Sequence, residues 1–311
     1  MNISSVANIL LALTLAPQAS LLMPSSAISG REALSEVIRQ SASFPVSEER
    51  GPKRLNPENL GVKTDAKSVL VRDAVDGITL FQAGQDTALP IASITKLMTA
   101  LVLIELSNWN PDDTVSVLRS DVREGGKWFL RFGDIVSKRD VLGVMLVASG
   151  NNETLALVRS SGFLENEFVD AMNKKASELG MTRTHFQDPV GLSDGNVSAA
   201  DDLPLLLSAA LDVPAIAERM AQPEILLRSK VGNGYSFSST DILLGSFLNS
   251  APYKILGGKT GSLDGKYSLV MRVRKDDRPI DVVVLGAANP EARFNDAKAL
   301  ASWTYRNYSW R

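Results

Sequence analysis

The chain has 311 residues, with 33 Lys and Arg against 35 Asp and Glu, one histidine and no cysteine. A formal net charge of −2 argues against a nucleic-acid-binding surface, which carries a basic excess. Without cysteine there is no disulfide or thiolate site, and one histidine excludes a His-rich zinc centre.

Residues 1–29 contain no charge, and Ile9 to Ala16 form an apolar run followed by small residues at 16–19 and 25–27. This reads as a secretory signal peptide or, because no Lys or Arg precedes the run, a retained N-terminal anchor at the membrane. The run is short for a spanning helix, which needs about 20 residues. Residues 30–62 are polar and punctuated by proline, and read as a linker with a short helix near Glu32 to Gln40. Residues 63–311 read as one domain.

Ser68 to Asp73 and Ile78 to Phe81 read as strands, with Asp76-Gly77 as the hairpin turn. A helix is expected from Pro90, which suits a first helical position, to the region of Ser107 to Asn110 before Pro111. Residues 112 to about 249 carry mostly helical patterns. Ser137 with Asp140 resembles a capping box for a helix ending at Ser149, with Gly150 as its stop. A second helix, apolar at Leu164, Phe168, Met172, Ala176 and Leu179, ends at Gly180. Asp201 or Asp202 caps a third, with Pro204 in its first turn. Glu124 to Trp128 read equally as a cleft-lining loop or a solvent turn. Lys254 to Thr260, Tyr267 to Val273 and Ile280 to Leu285 read as strands, turning at Asp264-Gly265 and Asp276-Asp277. A helix from about Pro290 to Tyr305 follows. Two early strands, a helical block and three late strands imply one antiparallel sheet built from both ends of the domain.

Three short motifs carry chemistry. Ser93 and Lys96 stand three residues apart, the spacing of neighbours on a helix face, with Cβ atoms about 5–6 Å apart. A desolvated lysine loses its proton more easily and can serve as a base toward a hydroxyl. Ser149-Gly150-Asn151 follows the apolar run 141–148, and Lys259-Thr260-Gly261 opens toward strand sequence. Each is a loose pattern alone, and Ser149 to Asn151 could be only a helix-ending turn. His185 reads as structural.

S-x-x-K, S-x-N and K-T-G in this order resemble the motif set of penicillin-binding proteins and class A β-lactamases. Leu89 to Ala100, Leu179-Gly180-Met181 and Asp188 to Leu192 resemble the low-molecular-mass D-alanyl-D-alanine carboxypeptidases and endopeptidases. The resemblance runs from about Val62 to the end of the chain. It implies an α/β (α+β) chain of the penicilloyl-serine transferase (β-lactamase-like) fold. In it a five-stranded antiparallel sheet flanked by helices (63–110 and 250–311) stands beside an all-helical lobe (111–249), with the site in the cleft between. The chain stops at the predicted last helix, without the C-terminal β domain and amphipathic tail that many such carboxypeptidases carry.

The resemblance also implies roles. Ser93 is the nucleophile, Lys96 its base, and Ser149 a proton relay to the departing amine. Asn151 holds a substrate amide. Lys259 and Thr260 receive the terminal carboxylate, and Gly261 lets the peptide approach the strand. The backbone N–H groups of Ser93 and Ser262 form the oxyanion hole. Burial and the charge of Lys259 are expected to depress the Lys96 pKa. No metal or organic cofactor is implied. The partners implied are a peptidoglycan stem peptide ending in D-Ala-D-Ala and β-lactams as covalent inhibitors, in an exported protein acting outside the cytoplasmic membrane. Asp188 stands where the carboxypeptidases have Asn, and Ala199 where they have Thr.

The reading is therefore a serine D-Ala-D-Ala carboxypeptidase. The alternatives, in order, are an endopeptidase of the same family, a serine β-lactamase and a non-catalytic peptidoglycan-binding module. The class A β-lactamases need a Glu in an E-x-x-L-N loop, which this chain lacks. The intact Ser93 and Lys96 count against the non-catalytic module.

Overall fold

The computed structural model describes residues 51–84, 87–123 and 128–310. The predicted signal or anchor, and the linker up to Arg50, lie outside the described residues, as do Glu124 to Lys127 of the predicted loop.

The main sheet has five antiparallel strands. In chain order they are β1 (Ser68–Asp73), β2 (Thr79–Ala83), β5 (Tyr253–Leu263), β6 (Lys266–Lys275) and β7 (Arg278–Ala287). Strands β3 (Glu224–Arg228) and β4 (Gly234–Ser238) form a separate hairpin. The sheet order is β5-β6-β7-β1-β2, so early and late strands meet at the β7–β1 pair.

Side chains alternate across this sheet with period two. Leu70, Val270 and Val283 lie opposite one another in register and join one buried cluster. Val69, Val71, Met271, Val282 and Val284 join the other, with Leu300 and Ala301 of the last helix, α7 (Pro290–Asn307). Both faces are covered, and this is why β1 and β7 read as nearly unbroken apolar runs. Asp264 and Gly265 both have positive φ, at 48° and 70°, as the tight turn between β5 and β6 requires.

Helix α1 (Thr95–Leu106) is buried at every residue from Thr95 to Leu103. A helix apolar all round is a core element, and α1 packs against α4 (Glu165–Glu178) and α5 (Leu203–Leu211). Gly180, at φ +76°, ends the α4 segment as predicted.

Several expectations need correction. The helix does not begin at Pro90. Leu89–Pro90 is a short strand paired with Val197–Ser198, Ala92–Ile94 is one turn of 3₁₀ helix, and the α-helix starts at Thr95. Proline, with no N–H, sits as well at a strand edge as at a helix start. Asp202 stands at the start of α5, but its carboxylate accepts from Arg183 N and Thr184 Oγ1 rather than capping the helix. The β3–β4 hairpin lies in the stretch read as mostly helical. Its alternation, with Ile225 and Leu227 buried and Glu224, Leu226 and Arg228 exposed, is the signal that finds it.

Candidate active site

Four elements bring the predicted residues together. The 3₁₀ turn carries Ser93, α1 carries Lys96, and β5 carries Lys259, Thr260, Gly261 and Ser262. The turn before α3 (Asn151–Ser160) carries Ser149 and ends at Asn151. Lys96 and Lys259 are buried, whereas Ser93, Ser149 and Asn151 are half-buried and Ser262 is exposed. The amines thus lie beneath a rim of hydroxyl and amide groups.

Lys96 Nζ contacts Ser93 Oγ at 3.0 Å, Asn151 Oδ1 at 2.7 Å and the Val190 carbonyl at 2.6 Å. A neutral amine has two N–H donors and one lone pair. The two latter partners can only accept, so in the neutral form the lone pair faces the Ser93 hydroxyl. Burial pushes the Lys96 pKa down to about 7, while Asp188 and Glu153 push it partly back up. That value suits a base working near neutral pH.

Ser149 falls elsewhere than its expected role suggests. Its Oγ accepts from Lys259 Nζ at 3.0 Å, so the hydroxyl's own proton remains available to a third group. Burial also holds the Lys259 amine well below the usual lysine range, and the charges of Lys96 and Arg293 act in the same direction. Asp241, whose carboxyl burial raises to about 6, opposes this. Thr260 Oγ1 donates to Thr240 Oγ1 at 2.7 Å.

Local backbone geometry explains the placement. The helix α2 (Lys138–Gly143), capped by Ser137 as predicted, runs on into a π-helical turn over Val144–Ala148. The stop is Ser149 itself, at φ 65°, and not Gly150. Ala92, directly before Ser93, is also left-handed at φ 50°. Two non-glycine residues in this costly region flank the site, where such strain collects.

The glycines hold surfaces close. A Cβ on Gly261 would stand 2.3 Å from the Ile91 carbonyl oxygen. Its bareness thus serves the contact between β5 and the turn that carries Ser93. Gly191, at φ +85°, lies against the same turn, where a Cβ would be 2.1 Å from the Ala92 oxygen.

Three residues missed as site residues from sequence complete the frame. Arg293 of α7 donates from Nη1 to the Gly261 carbonyl and to Ser262 Oγ, both at 2.9 Å. Asn196 is fully buried. It accepts from Gln187 N and Asp188 N and donates to Thr95 Oγ1 and the Asp188 carbonyl. Asp188 accepts from the backbone N–H of Val190, Gly191, Leu192 and Ser193. Four N–H donors suit an anion better than an amide, which accounts for Asp at this position. The turn so formed carries the Val190 carbonyl to Lys96. His185 is exposed and pairs through its backbone with Val197.

The sequence and the fold both match known proteins. The family model described as D-alanyl-D-alanine carboxypeptidase matches residues 54–289. A D-alanyl-D-alanine endopeptidase of Pseudomonas aeruginosa is 35% identical over 76% of this chain and 76% of its own length. The D-alanyl-D-alanine carboxypeptidase DacC of Escherichia coli is 31% identical over 78% of this chain, which spans 62% of that protein. The DD-transpeptidase of Streptomyces K15 superposes with a TM-score of 0.73 at 25% identity, over 79% of this chain and 99% of that one. Penicillin-binding protein D2 of Listeria monocytogenes, in its ampicillin-bound form, gives 0.67 at 27% identity over the same shares. The fold is that of the penicillin-binding DD-peptidases, and the chain belongs to the D-alanyl-D-alanine carboxypeptidase family of serine peptidases.

Proposed function

We propose that the protein hydrolyses peptidoglycan stem peptides ending in D-Ala-D-Ala through an acyl-enzyme on Ser93. The observation that carries this is the Lys96 amine, buried and 3.0 Å from Ser93 Oγ, with its two other partners both acceptors. Lys96 takes the Ser93 proton as Oγ bonds to the carbonyl carbon of the penultimate D-Ala. The oxyanion is held by the backbone N–H groups of Ser93 and Ser262. When the C–N bond breaks, Ser149 gives its hydroxyl proton to the departing amine and takes up the proton that Lys96 drew from Ser93, which leaves Lys96 neutral again for the hydrolytic step. Water then hydrolyses the ester.

Lys259 and Thr260 take the terminal carboxylate. The arriving anion raises the proton affinity of Lys259, so binding and protonation of that amine proceed together. Arg293 positions this end of the cleft by fixing Gly261 and Ser262. Asn151 Oδ1 is engaged by Lys96, which leaves its N–H₂ for a substrate carbonyl. Residues 63–110 and 250–311 form the sheet-bearing lobe and 111–249 the other, with the cleft between them.

A fluorescent penicillin should label the wild-type protein stably at Ser93 and leave Ser93→Ala unlabelled. Rapid turnover of the drug without a retained adduct would favour the β-lactamase reading instead. Mass spectrometry of a muropeptide mixture then separates the two peptidase readings. Loss of one D-Ala from monomers marks a carboxypeptidase, and conversion of cross-linked dimers to monomers marks an endopeptidase. The second activity is favoured by relatives: the chain spans 76% of the Pseudomonas endopeptidase and 76% of its 31%-identical Escherichia coli counterpart.

Among the described residues no helix is long and apolar enough to cross a membrane. Export is proposed from the uncharged residues 1–29 alone. Fractionation of the host should place the protein beyond the inner membrane, and full-length protein in the cytoplasm would count against it.

A further inference from the structure

Helix α3 carries a polar side chain that the three motifs leave unexplained. Glu153, two residues beyond Asn151, is fully buried. Its Oε1 accepts from the backbone N–H of Leu130 at 3.0 Å. Its Oε2 is buried with no hydrogen-bond partner among the described residues. That oxygen lies over the middle of the Ser149–Asn151 turn, where a Cβ on Gly150 would stand 2.3 Å from it. Gly150 has φ −64° and ψ 124°, a conformation open to any residue, so the backbone does not demand glycine there. The neighbouring carboxylate does.

A buried carboxylate oxygen without a donor costs free energy. Burial raises the Glu153 pKa, nearby backbone N–H groups and then the charge of Lys96 oppose that rise, and Glu153 in turn opposes the fall that burial imposes on Lys96. Asn151 stands between them in the chain and accepts from Lys96 directly. Glu153 is sealed from solvent, so it does not activate water.

We propose that Glu153 is a positioning residue for acylation: its buried carboxylate ties the segment around Leu130 to the Ser149–Asn151 turn, and so sets the Asn151 amide that Lys96 contacts. The inference rests on the roles given above to Ser93 and Lys96. Other charges face the same amine. Asp188, from the turn beside α1, acts in the same sense as Glu153. Lys259 on β5 is a second buried amine, whose own pKa the charges of Lys96 and Arg293 of α7 lower and Asp241 raises.

The test is the pH dependence of Ser93 acylation by a β-lactam. Lys96 must be neutral to act, so the rate falls as pH drops through its pKa. Glu153→Gln keeps an acceptor for Leu130 N and removes the charge. Its acid limb should move to lower pH by about half a unit or more. A limb that stays in place, or moves up, overturns the inference while leaving the parent reading intact. A wild-type protein that is not acylated overturns both.

A second pair of variants carries the geometric half, and stands alone if Glu153→Gln does not fold. Gly150→Ala should slow acylation, and adding Glu153→Ala should restore much of the loss. A double variant no faster than Gly150→Ala alone would show that the carboxylate does not set this turn.

Discussion

Lys96→Ala should acylate Ser93 at least about a hundredfold more slowly than wild type, the lower end of what a positioned general base contributes. Lys96→Arg should fail as completely, because a guanidinium keeps its proton in proteins and cannot accept another. The wild-type rate should rise with pH through about 7, where Lys96 becomes neutral, and level off above it. The sign follows from the cause. Burial disfavours the ammonium, so a large share of the amine is neutral near pH 7 and that share is lost on acidification. Both lysine variants should lack this limb. His185→Ala should keep it, since that side chain is exposed and the residue pairs with Val197 through its backbone. Acylation rates with a β-lactam from about pH 5 to 10 read all four proteins. Near-normal rates in Lys96→Ala, beside a folded but inactive His185→Ala, would sink the assignment.

Gly191→Ala should be nearly as damaging, although Gly191 belongs to none of the three motifs. The added methyl would lie 2.1 Å from the Ala92 oxygen and 2.9 Å from the Ser93 nitrogen, both backbone atoms that cannot rotate away. The left-handed φ of +85° adds strain of its own. Relief requires the Ser93 turn or the 188–193 turn to retreat, and with them Ser93 Oγ or the Val190 carbonyl that Lys96 contacts. A displacement of about 1 Å at a reacting group can cost about a hundredfold in rate. Acylation should fall by about that factor while the circular dichroism spectrum stays native. Wild-type acylation in Gly191→Ala would show that the two turns are not rigidly packed.

The sequence was legible where function is written in short motifs and where the fold repeats a period. Lys96 contacts Ser93 and Asn151 while Ser149 contacts Lys259, and the sheet strands are legible because their apolar runs end at Asp-Gly or Asp-Asp turns. The rest depended on contacts between distant segments. Nothing near Arg293 marks it as the donor that fixes Gly261 and Ser262. Glu153 reads as one more helix carboxylate until its burial is known. The left-handed Ser149 was hidden because Gly150 beside it offered the conventional helix stop. The 3₁₀ turn at Ser93 is indistinguishable in sequence from a first helical turn, because Pro90 suits either a helix start or a strand edge.

The pairing of β1 with β7 has a consequence for biogenesis. Asp73 lies opposite Ile280 and Ser68 opposite Leu285, so the sheet's central ladder joins segments from the two ends of the domain. A ribosome or a translocation channel delivers a chain in order. The first strands therefore emerge with their partner still unmade, and the long loop closure precedes any reward in sheet hydrogen bonds. Such a domain stays open until its last strands arrive, which keeps it threadable across a membrane and leaves its apolar strand edges in need of a holdase meanwhile.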